Sequence, residues 1–253
     1  LHLTTRRQRQ MCIRDSPNID DASKVFDSQP GALIIPNPDL HEERLYSVEL
    51  GMKQKIGERW AVDASFYSSY LDEAMERAPF DFGGRDSVFY EGQLSQVLAV
   101  QNIDYARIWG YQFGVRSDIS KNLHWLFHWA HPFGMDSQGN PLRHVNPFNA
   151  TSTLSYSKHK FRTNMIFRYN GSVDAEDMPF SEKDKLHMYA INEDGLLYSP
   201  SWYTINIQSS YHFSKNILIR VGLENLMDVR YRPYASGIAA PGRSVFFSLR
   251  MSV

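Results

Sequence analysis

The sequence predicts an all-β chain, an antiparallel transmembrane β-barrel to which it contributes about nine strands, and three observations predict it. Apolar and polar residues alternate along segment after segment, the period of a strand lying between unlike environments. The connections between these segments run alternately short and long, as barrel turns and loops do on the two sides of a membrane. Aromatics make up 13% of the chain, with 14 Tyr and 15 Phe, while no apolar run approaches the roughly 18 residues of a membrane-spanning helix.

Taken in order, the first clear strand lies near Glu43 to Ile56 and is followed by a tight turn at Gly57 and Glu58. The next, Trp60 to Leu71, leads into a long polar excursion reaching about Gln96. Trp109, Tyr111, Phe113 and Val115 then alternate with polar partners, and Asp118 to Lys121 makes a short turn. Leu123, Trp125, Phe127 and Trp129 repeat the pattern before a long connection, Pro132 to Asn146. After the short turn Lys158 to Lys160, Phe161, Thr163, Met165, Phe167 and Tyr169 oppose Arg162, Asn164, Ile166, Arg168 and Asn170. A long loop from Gly171 to Ser199 follows. Tyr203, Ile205, Ile207, Ser209 and Tyr211 then face away from Thr204, Asn206, Gln208, Ser210 and His212. Ser214 to Asn216 is short and Tyr231 to Pro241 intermediate. The last segment sets Val245, Phe247, Leu249, Met251 and Val253 against Ser244, Phe246, Ser248, Arg250 and Ser252. Charge follows the same division: Lys55, Arg59, Lys121, Lys158, Lys160 and Lys215 at the short turns, and acids such as Asp72, Glu76, Asp174, Glu176 and Asp194 in the long loops.

Composition removes other classes. The net charge is -1, so no basic field exists to hold nucleic acid. The single Cys12 forms no bridge within the chain, and no zinc-ligand spacing appears. Neighbouring carboxylates such as Glu42 and Glu43 point to opposite faces of a strand. With no Ser/His/Asp arrangement or phosphate-cradling glycine loop, the chain reads as a non-enzyme without cofactor or metal. Residues 1–16 (LHLTTRRQRQMCIRDS) lack the apolar stretch of a signal peptide. Their MCIRDS run resembles translated sequencing-adapter read-through, so the segment is set aside as non-native or disordered. Residues 17–253 are read as part of a barrel that closes with strands lying upstream and with a short continuation after Val253, since single-chain bacterial barrels close with an even strand count.

Three boxes occur in order: Pro17 to Asp21 (PNIDD) with Asn18, Pro36 to Leu40 (PNPDL) with Asn37 and Asp39, and Glu43 to Gly51 (ERLYSVELG) with Glu49 and Gly51. At the far end stand Gly222 to Tyr231 (GLENLMDVRY) with Asn225, Asp228 and Tyr231, then Arg232 to Gly237 (RPYASG), then Ala240 to Arg243 (APGR) with Gly242 and Arg243. Together they resemble the TonB-dependent outer-membrane receptors over Pro17 to Val253. The resemblance implies a 22-stranded barrel in the bacterial outer membrane, plugged by an N-terminal domain and monomeric when complete. It implies lipid around the barrel, the TonB-ExbB-ExbD complex as energy-coupling partner, and import of a scarce nutrient. The boxes themselves read as structural: Asn225 and Asp228 for their backbone-bonding side chains, and Gly242 for a turn most residues resist.

Cargo is less legible. His124 and His128 share a strand face but stand roughly 13 Å apart, too far for one metal. His131 and His144 bracket the Pro132 to Asn146 connection and, with Arg143, are the candidate ligand-binding residues for an iron chelate or haem. Tyr189, Tyr198, Trp202 and Tyr234 read as girdle or loop packing. Haem receptors of the family usually carry a histidine between the first two boxes, and Ile19 to Pro36 has none. A ferric siderophore therefore leads, ahead of haem and cobalamin. A passive porin or adhesin barrel, and more remotely a soluble carbohydrate-binding module, are the competing readings.

Overall fold

Strand alternation leaves each strand with one apolar and one polar edge of side chains, and a sheet built from such strands must have one face of each kind. The computed structural model describes residues 3–15, 23–29, 31–183 and 185–252. In chain order its strands are β1 (Leu3–Asp15), β2 (Phe26–Gln29), β3 (Ala32–Ile34), β4 (Glu43–Ile56), β5 (Trp60–Asp72), β6 (Met75–Pro79), β7 (Ser87–Tyr90) and β8 (Gln93–Asn102). They continue as β9 (Tyr105–Asp118), β10 (Leu123–Asp136), β11 (Asn149–Lys158), β12 (Phe161–Asn170), β13 (Ala190–Ile191), β14 (Leu197–Tyr198), β15 (Trp202–His212), β16 (Ile217–Glu224) and β17 (Ser244–Met251). No helix among the described residues is long and apolar enough to cross a membrane.

The main sheet runs β1-β4-β5-β9-β10-β11-β12-β15-β16-β17, and every neighbour in it is antiparallel. From β4 onward it holds the nine strands that the alternation predicts, in sequence order and open at its edges. Its register lines apolar side chains into rows. Met52, Ala64, Phe113, Trp129, Ala150, Tyr169 and Tyr203 pair one to the next across seven strands. On this face Leu50, Val245 and Phe247 are 59%, 68% and 68% exposed. So much apolar surface over a whole sheet face demands lipid rather than water. Aromatics cluster toward both ends of it: Trp60 meets Trp125 edge-on at 6.3 Å near the short turns, and Trp109 stacks on Phe133 at 5.6 Å near the long loops. The opposite face carries Glu49, Asp63, Arg116, His124, Arg162, Arg168, Arg220 and Arg250 and is the polar wall.

Four departures from the sequence reading have physical causes. The excursion after β5 is ordered: β6 and β7 pair along one edge of β8 while β3 runs parallel along the other, with β2 beside β3. Val97 and Ala99 of β8 bury against Leu33 and Ile35, with Phe80, Val88 and Tyr90 around them. Its partner strands β3, β6 and β7 are only three to five residues long, so their alternation is easily lost in a polar stretch. Second, β10 continues five residues into the expected Pro132 to Asn146 loop. Pro132 stands beyond the last β10–β11 pair, where the strand has one neighbour and a missing N–H breaks no second ladder. Third, the Gly171 to Ser199 loop holds a 3-10 turn (Ala175–Asp177), a helical turn (Phe180–Lys183) and the small β13–β14 hairpin. Fourth, Leu3–Asp15 of the segment expected to be non-native or disordered is extended and lies along β4 from Asp15↔Glu43 to Arg7↔Gly51 and beyond. An exposed strand edge offers backbone donors and acceptors to any extended segment, so this pairing is indifferent to sequence.

Candidate functional site

The long connections all leave one end of the main sheet, and there they fold onto one another into a cap. Its centre is Glu182, whose side chain is fully buried. Lys185 Nζ donates to its carboxylate at 2.7 Å and Tyr189 Oη donates at 2.5 Å, while Arg143 Nη2 approaches to 3.8 Å. Arg143 comes from the β10–β11 connection and the others from the β12–β15 connection, so this one carboxylate ties two loops. Burial pushes the Glu182 carboxyl up, but the Lys185 and Tyr189 hydrogen bonds and the Lys185 and Arg143 charges outweigh it, and the net shift is downward. Burial, then the bond to Glu182, raises the Tyr189 phenol well above its ordinary value; burial and the charges of Glu182 and Asp177 push Tyr234 up to about 12. Both phenols stay neutral, and Tyr189 is the donor to Glu182. Around them Val173, Met178, Leu197 and Tyr234 form a small apolar core with Tyr189 and Ala235.

The third loop, between β16 and β17, is held by Asn225. Its side chain donates to the carbonyls of Val229 (2.8 Å) and Pro241 (3.2 Å) and accepts from Val229 N–H (2.9 Å), while its own N–H donates to Asn206 Oδ1 (2.9 Å). Asn225 and Asp228 have φ of 49° and 56°, the left-handed region that Asn and Asp tolerate best among residues with side chains. Asp228 Oδ1 accepts Arg243 N–H at 2.7 Å. It would stand 2.8 Å from a Cβ on Gly242. Gly242 has an ordinary backbone conformation, so close approach of that carboxylate, not a forbidden turn, is what a side chain would disturb. Nothing crowds Gly237.

The other boxes are placed as follows. Asn18 lies outside the described residues. Asn37 Nδ2 donates to Val100 O at 2.9 Å and its Oδ1 accepts Asp39 N–H at 3.1 Å, fastening the second box to β8. Glu49 and Gly51 lie on the polar wall of β4, opposite Tyr67 and Ser65. Tyr231 stacks on Trp202 at 4.1 Å.

The expected ligand trio does not converge. His131 belongs to the row of Trp129 and Phe133, on the lipid face, and its ring lies 4.2 Å from Phe133 and 5.7 Å from Phe148. Because β10 runs through it, His131 is a girdle residue rather than the base of a loop. Arg143 turns to Glu182, and His144 is exposed with φ 59°. What the sequence reading missed is a cavity of about 480 Å³ between the β12–β15 and β16–β17 loops, lined among others by His187, Tyr189, Trp202, Arg230, Tyr231 and Arg232. Arg232 Nη1 donates to His187 O at 2.8 Å and joins its two walls. Among the described residues no Asp or Glu lines it. The two arginines that flank Tyr231 in the VRYRPY run were the available signal.

An amphipathic antiparallel sheet with a lipid face, a polar face, tight turns at one end and a folded loop cap at the other defines the wall of an outer-membrane-type β-barrel. The family described as TonB dependent receptor-like, beta-barrel, matches residues 13–226, and the chain belongs to it. Similar solved structures include the siderophore receptor PirA from Acinetobacter baumannii, with 21% identity and TM-score 0.70 over 96% of this chain and 38% of that one. The copper transporter OprC gives 15% identity and TM-score 0.69 over 96% and 35%. A mutant ferric enterobactin receptor, PfeA, from Pseudomonas aeruginosa gives 14% and 0.72 over 97% and 38%. At these identities the likeness concerns the fold. The chain spans between 35% and 38% of their lengths. Comparison with curated proteins gives no match.

Proposed function

We propose that the protein containing this chain is an active importer of the bacterial outer membrane. It takes a ferric siderophore from outside the cell at the loop cap and admits it with energy delivered by the TonB-ExbB-ExbD complex. The observation that carries the reading is the wall itself: a TonB-dependent receptor sheet whose polar face lines a lumen and whose long loops are folded together at one mouth of it. That siderophore receptors stand among the similar structures supports iron chelates ahead of haem or cobalamin as cargo. Import is stereochemically a matter for the wall and cap: loops hold the cargo at the rim, and polar side chains below keep the path wet.

The test is uptake of radioactive iron presented as defined siderophores, haem or cobalt-labelled cobalamin, in a siderophore-deficient host carrying the complete reading frame. Accumulation of a ferric siderophore that stops when TonB is deleted is the expected result. Accumulation that persists without TonB makes the protein a passive barrel and ends this reading.

A further inference from the structure

The lipid face is not flat. In the row Met52, Ala64, Phe113 and Trp129 one small side chain stands among large ones. Over Ala64 the surface drops into a hollow of about 640 Å³, walled by Met52, Phe66, Tyr111, Phe113 and Trp129. All six belong to the outward set of side chains, Phe66 and Tyr111 being paired in the neighbouring row. The position of the hollow in the wall decides what can enter it. Each of β5, β9 and β10 has a strand on both sides here, so further strands can join only at the edges of the sheet, and whatever fills the lumen lies on the other face. The hollow is also at mid-depth. Ala64 stands four residues from Trp60 and six from Tyr70 on β5, roughly 14 and 20 Å at the strand rise. On β10, Trp129 stands four residues from both Trp125 and Phe133. Between those aromatic ends the surroundings are hydrocarbon.

A second feature gives the occupant its direction. Tyr111 and His131 oppose each other across β9 and β10, one alternation inside the Trp109–Phe133 stack and roughly 7 Å from it along the strands. Other polar side chains on this face bond to one another: Trp125 Nε1 donates to Ser152 Oγ at 2.9 Å, and Thr163 Oγ1 lies 2.9 Å from Ser209 Oγ. Tyr111 instead packs its ring against Phe66 at 5.4 Å and edge-on to Phe133 at 6.5 Å. It forms the lip of the hollow on the side of the long loops, which is the outer leaflet. Hydrocarbon holds no water to bond a hydroxyl. The acceptors just beneath the headgroups are the carbonyls that link acyl chains to a lipid.

We propose that the hollow is a lipid-binding site. One acyl chain of an outer-leaflet lipid descends past the Trp109–Phe133 stack, its linking carbonyl accepts the Tyr111 hydroxyl, and its methylenes fill the space over Ala64. Moving a chain from lipid onto protein gains no hydrophobic free energy, so retention comes from close packing on the rings and from that one hydrogen bond. The site selects a carbonyl-linked chain rather than a headgroup. It goes beyond import and depends only on the outward orientation of this face.

The experiment places the complete receptor in phosphatidylcholine liposomes with increasing amounts of a diacyl lipid that carries a photoreactive diazirine at mid-chain. The probe is made in an ester-linked form and in an ether-linked form that lacks the carbonyl, and peptide mass spectrometry reads the adducts. With the ester probe, labelling around Ala64 and Phe113 is expected to saturate, while labelling around Ile207, elsewhere on the same face, rises in proportion to the probe. Ala64→Trp, which fills the hollow, should abolish the saturable part. Tyr111→Phe should raise half-saturation about five-fold, the loss of one neutral hydrogen bond. The ether probe should show the same weakening on the parent and none further on Tyr111→Phe. Heat-modifiable migration on gels checks that each variant is folded. Proportional labelling at both places means ordinary bulk lipid and overturns the proposal. So does saturable labelling that survives Ala64→Trp, or equal half-saturation for the two probes on the parent. Receptor dimers cross-linked in place of lipid adducts also overturn it, since the hollow would then seat a second copy. None of these readouts depends on transport.

Discussion

The membrane sheet and the loop cap are held together by different physics. The sheet has no core of its own: its apolar face meets lipid, its polar face meets the lumen, and its strength is the unbroken backbone ladder from β4 to β17. The cap is a small water-bounded fold with two modest apolar clusters, and its loops are fixed by buried polar hubs, Glu182, Asn225 and Asn37. A change in the sheet should therefore be felt according to its depth in lipid, and a change in the cap according to how many buried groups it leaves unpartnered.

The largest expected effect is in the cap. Glu182→Ala leaves Lys185 and Arg143 half-buried without their carboxylate and should cost on the order of 3 kcal/mol locally. Limited proteolysis between residues 171 and 201 should rise by orders of magnitude while heat-modifiable migration of the barrel stays intact. If the barrel itself loosens, cap and sheet are one cooperative unit and the contrast fails. The same carboxylate gives a pH dependence. Its folded pKa lies below the ordinary 4.5, so its stabilisation is complete above that value and is lost as pH falls through the lower folded value. Proteolysis of this loop should be flat from neutrality to about pH 5 and rise only under stronger acid.

Next comes the sheet. Ile207 is central on β15 and faces lipid between Met165 and Leu223. Ile207→Arg should cost about 2–4 kcal/mol, against about 0–1 for the same change near an interface. Urea unfolding in liposomes measures the difference. Equal costs at the two depths would remove the membrane assignment of this face. Asn37→Ala follows: it frees Val100 O and Asp39 N–H, at about 1–3 kcal/mol if both stay buried, and should be visible as faster amide exchange in β8 rather than in β4.

This contrast also explains what was legible in the residues. Each membrane strand has only two environments, so period two states its face outright, and Phe161 to Tyr169 or Trp202 to His212 are readable without a partner. Turn lengths follow from membrane sidedness and are equally plain. Cap structure depends on contacts between distant loops: nothing in MPFSEKDKLHMY marks Glu182 as buried, because its partner Arg143 lies in another connection. His131 was misplaced for a related reason. A proline after it looks like the end of a strand, and only the absence of β11 at that level shows that β10 can continue. The Asn225 box was legible as structural because Asn followed by Asp is suited to bonding local backbone; the reason given for Gly242 needed the position of Asp228.

The smallest effect is the sharpest test of the lipid face. Thr163 Oγ1 and Ser209 Oγ lie 2.9 Å apart, directly opposed across β12 and β15 in the row of apolar neighbours. Facing water, each hydroxyl would lose little if its partner vanished, because solvent replaces it. Facing hydrocarbon, each has only the other, so a single change strands a polar group while a double change removes the need. Thr163→Val or Ser209→Ala alone should cost about 0.6–1 kcal/mol, and the double variant should return close to the parent. A coupling energy near zero in liposome unfolding would mean that both hydroxyls meet water, and the row from Phe161 to Tyr169 would have to be turned toward the lumen.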